Sequence, residues 1–165
     1  MSLSRRSASR SSYSSDGSQG ERRVKYLAWD VGERRVGVAV SDEMGLIASP
    51  LTVIQRRSKI EDFATIADLV REHGVGGLVI GHPLDSEGES GFQAQRVERY
   101  AQALVEWLKA EELELALVFW DEYLSTRQAE EAMIATGRRT KDRRDRQDAV
   151  AAAFILQDYL RTQHP

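Results

Sequence analysis

The sequence predicts an α/β fold: a mixed sheet of five strands with helices on both faces. Three observations carry this expectation. Apolar runs at 24–30, 36–41 and within 45–54 follow one another with only short turns between them, which describes a meander. From residue 59 onward, segments of helical period alternate with short apolar segments. One of the latter, GGLVIG at 76–81, is wholly apolar, as a strand covered on both faces must be. A meander that passes into alternating helices and strands needs antiparallel and parallel pairing in one sheet.

Each element has its own justification. Residues 1–20 hold nine serines and almost nothing apolar, so they cannot bury a core. We expect a disordered tail over 1–22, made basic by Arg5, Arg6, Arg10 and Arg22, and one folded domain over 23–162. The first two strands, 24–30 and 36–41, are joined by a tight turn at Gly32–Arg34. The third lies within GLIASPLTVI, where Pro50 implies an edge strand or a broken one. Residues 59–73 form an amphipathic helix with Ile60, Phe63, Ile66, Ala67 and Val70 on one stripe, and His73-Gly74 ends it. The apolar strand 76–81 leads into a Gly-, Ser- and acid-rich loop at 82–91. A helix over 92–110 buries Val97, Tyr100, Ala101, Leu104, Val105 and Leu108. LELALVFW at 113–120 is a strand that ends at Asp121-Glu122. Ser125 with Gln128 makes a capping box for a helix over 125–136, which Gly137 closes. The basic run RRTKDRRDR follows at 138–146, then a last helix over 145–161.

Composition narrows the function classes. The chain has 165 residues, 41% hydrophobic and 30% charged, ordinary values for a globular protein with one core. Cysteine is absent, which excludes disulfides and thiolate metal sites. No apolar run approaches the ~20 residues of a membrane span, and the start lacks a signal pattern, so secretion is not expected. Net charge is −3, so any attraction to nucleic acid must be local. The run 138–146 supplies it, with six basic and two acidic side chains, although such a run also suits a solvated loop.

The carboxylates fall in a pattern. Asp30 ends the first strand, Asp121 and Glu122 end the last, and Asp148 stands near the start of the final helix. Ligands of an open α/β sheet bind at the carboxyl ends of its strands. If the first and last strands are parallel neighbours, Asp30 meets Asp121 and Glu122 at one edge. Asp148 joins them if its helix crosses the sheet there, and Ala149, Ala151, Ala152 and Ala153 would let that helix sit close. Clustered carboxylates repel one another unless a cation binds. Oxygen-only ligation suits Mg²⁺ or Mn²⁺, and a pair of such ions promotes in-line attack of water on a phosphodiester. Each carboxylate taken alone has a plainer use: Asp30 and Asp121 in turns, Asp148 against a helix dipole.

Four segments resemble one family. DVGERRVGVA at 30–39, GHPLDSEGESG at 81–91, DEYLST at 121–126 and DAVAAAFILQDYL at 148–160 are similar, in order, to the motifs of the YqgF/RuvX family. The resemblance covers about residues 24–161. It implies a ribonuclease H-like fold and a metal-dependent cytoplasmic nuclease, with Mg²⁺ or Mn²⁺ as cofactor. Members are described as candidate pre-16S rRNA nucleases of ribosome biogenesis, or as candidate Holliday junction resolvases of recombination and repair. Carried over by position, the catalytic and metal-binding residues are Asp30, Glu122 and Asp148, with Asp121 adjacent. Glu122 is favoured over Asp121, since related resolvases carry a Glu at that strand end.

Two positions depart from the family pattern. Tyr123 stands where the family has Arg, which removes a cation or supplies a ring for stacking on a base. His82 replaces a Leu, either as a loop histidine of no special role or as a contact to phosphate. The nucleic-acid-binding set is then Arg138, Arg139, Lys141, Arg143, Arg144, Arg146, Tyr123 and His82, with Gly32, Gly37 and Gly81 shaping the turns. Phe92 is a second candidate for stacking. The expected partner is RNA or DNA, single-stranded or branched, or a pre-ribosomal particle, with the protein a monomer or homodimer. Two other readings compete. A non-catalytic nucleic-acid-binding module would gain nothing from carboxylates facing a polyanion. An actin-like phosphotransferase would need a second D-x-G half, and the sequence has a single D-x-G, at Asp30–Gly32.

Overall fold

The computed structural model describes residues 23–83, 91–121 and 141–164, the side chains of 141–144 excepted. The serine-rich tail, the 125–136 helix with its capping box, Glu122, Tyr123, Arg138 and Arg139 therefore lie outside the described residues. Five strands form one sheet: β1 (Tyr26–Val31), β2 (Arg35–Ser41), β3 (Ala48–Gln55), β4 (Gly77–His82) and β5 (Ala116–Asp121). Three helices accompany them: α1 (Lys59–His73), α2 (Phe92–Ala110) and α3 (Lys141–Gln163). The strand order is β3-β2-β1-β4-β5. The meander β1–β2–β3 is antiparallel, while β1–β4 and β4–β5 are parallel. The carboxyl ends of β1, β4 and β5 thus share one edge.

The β1–β2 hairpin closes where the Gly32 amide donates to the Arg35 carbonyl at 2.8 Å. A Cβ on Gly32 would stand 2.8 Å from that same oxygen, so the turn needs glycine. β3 is the outer strand of the meander, as Pro50 implies. Pro50 lies opposite Ala39, and the register slips between Val38 and Ala39 beside it. A residue without an N–H is tolerated at such an edge.

Alternation along the strands makes two apolar layers. Leu27, Trp29, Leu78 and Ile80 pack under α1 and α2 with Phe63, Ile66, Tyr100 and Leu104. Ala28, Ala39 and Val79 face α3, which contributes Ala152, Ile155, Leu156, Tyr159 and Leu160. Helices therefore cover both faces. Ser58 caps α1 by accepting from the Glu61 amide, and its hydroxyl donates to Glu61 Oε2 at 3.1 Å. Gly74 ends the helix in the left-handed region, φ 62°.

Four expectations need correction. Ile60 is 65% exposed; α1 instead buries Asp62, whose carboxylate accepts from the Arg57 amide and so ties down the chain entering the helix. β5 begins at Ala116 rather than 113. β4 separates β1 from β5, so the first and last strands are not neighbours. The final helix begins at Lys141, so six of the nine residues of the basic run are helical and Asp148 is the helix's eighth residue. Lys, Arg and Gln are good helix formers, and that preference outweighs the look of a charged loop.

Candidate active site at the carboxyl edge of the sheet

Asp30 pairs with Gly37 across the β1–β2 ladder. One step beyond the Trp29–Ile80 pair, Gly81 of β4 stands on its other side, itself paired with Trp120 of β5. By alternation this row shares the face of Ala28, Ala39, Val79 and Trp120, which is the face that α3 covers. Asp30 therefore projects toward α3 from between two glycines.

Gly37 decides how near α3 comes. A Cβ built on it would overlap the carbonyl carbon and oxygen of Asp148. Helix backbone thus rests directly on strand backbone, and directly opposite residues of an antiparallel pair lie within about 5.5 Å. The contact sets Asp148 beside Asp30, although 118 residues of sequence separate them. Ala149, Ala151, Ala152 and Ala153 are all buried, as close packing requires.

Arg35 holds Asp148 in place. It stands two residues before Gly37 and so on the same face; its Nε donates to Asp148 Oδ2 at 2.6 Å. Asp145 Oδ1 is 4.0 Å from the same nitrogen. The bond is charge-assisted and half-buried, with side-chain exposures of 32% and 29%. Sequence reasoning gave Arg35 no role; its two-residue spacing from Gly37 was the available signal.

The other predicted residues are distributed as follows. Asp121 is exposed and lies opposite His82, and alternation puts it on the face of Leu117, away from Asp30. With β4 between, it is about two strand spacings, ~10 Å, from β1. His82 faces α2, donates from Nε2 to Glu98 Oε1 at 2.8 Å, and packs its ring 5.2 Å from Phe119. It is not gathered with the carboxylates. Arg146 is exposed on α3, and Lys141, Arg143 and Arg144 lie in the first turn or so of that helix. Phe92 is 74% exposed at the start of α2.

Among the described residues no three metal-ligating side chains cluster. Asp30 and Asp148 nonetheless fit a hard cation in donor type, being carboxylates from two elements on one face.

A cavity of about 280 Å³ opens on the other side of the same edge, between the hairpin turn and α2. Its lining includes Asp30, Gly32, Glu33, Arg56, Gln93, Arg96 and Tyr100. Burial pushes the Tyr100 hydroxyl up to about 12, helped by the nearby Asp62 charge and opposed by Arg56.

Comparisons with known proteins bear on this arrangement. A family model described as "RuvX: Holliday junction resolvase" matches residues 24–162. A protein of Syntrophus aciditrophicus is 41% identical over 137 residues, covering 83% of this chain and 88% of its own. One from Carboxydothermus hydrogenoformans is 39% identical over 137 residues, covering 83% and 96%. Both are named "Putative pre-16S rRNA nuclease". Among solved structures, Thermus thermophilus RuvC in complex with a Holliday junction substrate is similar in fold, with a TM-score of 0.53 at 14% identity over 86% of this chain and 98% of that one.

Proposed function

This chain belongs to the RuvX family, and on that premise we propose that it is a divalent-metal-dependent nuclease that hydrolyses phosphodiester bonds in RNA or DNA. The observation that carries the reading is the contact of Gly37 with the Asp148 backbone, which sets Asp148 beside Asp30 at the carboxyl edge. Substrates suggested by the relatives' names are pre-16S rRNA and, by the family description, Holliday junctions. Among the described residues no helix is long and apolar enough to cross a membrane.

Asp30, Asp148 and Glu122 would hold Mg²⁺ or Mn²⁺, with Asp121 beside them. A divalent ion in such a site supplies Lewis acidity at the phosphate and a more acidic attacking water. The chain's own residues do the remaining work. Arg35 fixes Asp148 Oδ2 and offsets its charge, which relieves repulsion with Asp30. Gly37 and Gly81 keep the space around Asp30 clear of side chains. The basic residues of 138–146 would grip the phosphates of the strand to be cut, those from Lys141 onward as part of a helix.

The test offers matched single-stranded RNA, single-stranded DNA and a four-way junction to the purified protein with Mn²⁺ or Mg²⁺. Cleavage is expected, and Asp30→Asn and Asp148→Asn should abolish it while leaving the fold intact. A variant that cuts at the wild-type rate would remove that residue from the site. Wild-type protein that binds all three but cuts none would favour the binding module.

A further inference from the structure

The cavity between the hairpin turn and α2 is not used by the carboxylate chemistry, yet it opens at the same edge. Gln93, Arg96 and Tyr100 line it from one side of α2, at positions three to four residues apart. Arg56 reaches in from the chain after β3. Its guanidinium lies 5.1 Å from the centre of the Tyr100 ring and donates to the Gly32 carbonyl at 2.8 Å. Tyr100 is only 4% exposed, and its hydroxyl is buried with no hydrogen-bond partner among the described residues. A buried hydroxyl without a partner costs free energy unless something else satisfies it.

Two further features suit an anion. Gly91 is the N-cap of α2 and offers no side-chain acceptor, and the first turn holds no acidic residue, so among the described residues the first amides have no side-chain cap. Among the described residues the one ion-pair partner of Arg96 is loose, Glu33 Oε1 at 3.6 Å, on a side chain that is 75% exposed. A stronger acceptor would displace Glu33 at little cost.

The geometry points to a second phosphate subsite in this cavity, made by Arg96, Arg56, Gln93 and Tyr100, that binds a backbone phosphate next to the one cut at Asp30 and Asp148. It rests on the nuclease reading and deepens it. Asp30 lines the cavity as well as facing α3, so a strand crossing the edge between two faces meets both sites in turn. The subsite would fix which linkage reaches the carboxylates.

The experiment measures binding of short single-stranded oligonucleotides over a range of salt concentrations, without divalent metal, and cleavage with Mn²⁺. Arg96→Ala should weaken binding about tenfold and lower the salt slope by about one. Tyr100→Phe should weaken it several-fold while the melting temperature holds. Glu33→Gln should strengthen it. Arg71→Ala, whose side chain pairs with Glu111 away from this edge, should match the wild type.

One uncharged methylphosphonate moved along the strand should reproduce the Arg96→Ala loss at a single position near the cut, with no further loss in that variant. If wild type binds and cuts but Arg96→Ala and Tyr100→Phe bind equally well, the subsite is refuted and the nuclease reading stands. A gain confined to strands bearing a 5′-phosphate would overturn the backbone form in favour of a terminal one. Should the wild type neither bind nor cut, the nuclease reading falls. The cavity is then judged by inorganic phosphate: failure to raise the melting temperature of the wild type above that of Arg96→Ala overturns it too.

Discussion

Gly37 has no side chain, and that absence organises the residues around it. Replacing it with Ala puts a methyl group into the Asp148 carbonyl, so α3 must move or the sheet must bend. Overpacking of this kind costs about 1–3 kcal/mol. Gly37→Ala should therefore lower the melting temperature and remove cleavage together, whereas Asp30→Asn should remove cleavage with the fold intact. Denaturant melts paired with cleavage assays separate the two. Tyr100 gives a second prediction at this scale. Its hydroxyl is raised from 10.0 to about 12, so the folded protein keeps the proton that the unfolded chain releases near pH 10. The sign follows: this contribution to stability is whole below pH 10 and is lost as pH rises toward 12. Melting temperature should fall across that window, and Tyr100→Phe should flatten the fall.

At the scale of elements, α1 is bounded by two devices that can be removed separately. Ser58→Ala deletes the cap acceptor and should cost about 1 kcal/mol. Gly74→Ala should cost about 1–2 kcal/mol through backbone strain alone, because nothing lies within 4 Å of the added methyl. Chemical denaturation of both variants and of the pair checks additivity, expected since the two ends do not touch. These boundaries, like the hairpin turn and the edge strand at Pro50, were legible in the sequence because local chemistry writes them. What was not legible depends on tertiary contact. Ile60 has the right period for burial but lies in the first turn, where Asp62 takes the buried place. The start of α3 was hidden by its charge, since a basic run reads as a loop until helix propensity is weighed. Arg35 follows the tight turn at Gly32–Arg34 with nothing local to mark it, and only the packing of α3 gives it Asp148 as partner.

Across the whole molecule, strand order was the main thing the sequence withheld. Asp30 and Asp148 were identified from motif position, and the sheet brings them together through β2 rather than through β5. The place of β4 between β1 and β5 follows from the crossovers, which no residue pattern records. The chain carries a net charge of −3, yet its binding to a polyanion should be governed by the local cations of α3. Changing Arg143, Arg144 and Arg146 together to Gln should weaken oligonucleotide binding and lower the log–log salt slope by about two to three. Titrations at several salt concentrations measure this, and an unchanged slope would return these arginines to a solvated role.

The far end of α3 carries one more consequence. Gln157 donates to the Leu46 carbonyl at 2.9 Å and accepts from the Ala48 amide at 3.0 Å, gripping the β2–β3 turn. Nine helical residues, a rod of about 13 Å, run from there to Asp148. The helix is a lever pinned at both ends, and its stiffness makes the position of a carboxylate depend on a turn at the opposite rim of the sheet. Drift in the length of that turn would tilt the rod and show up as a change of alignment at the carboxyl edge, far from anything a substrate touches.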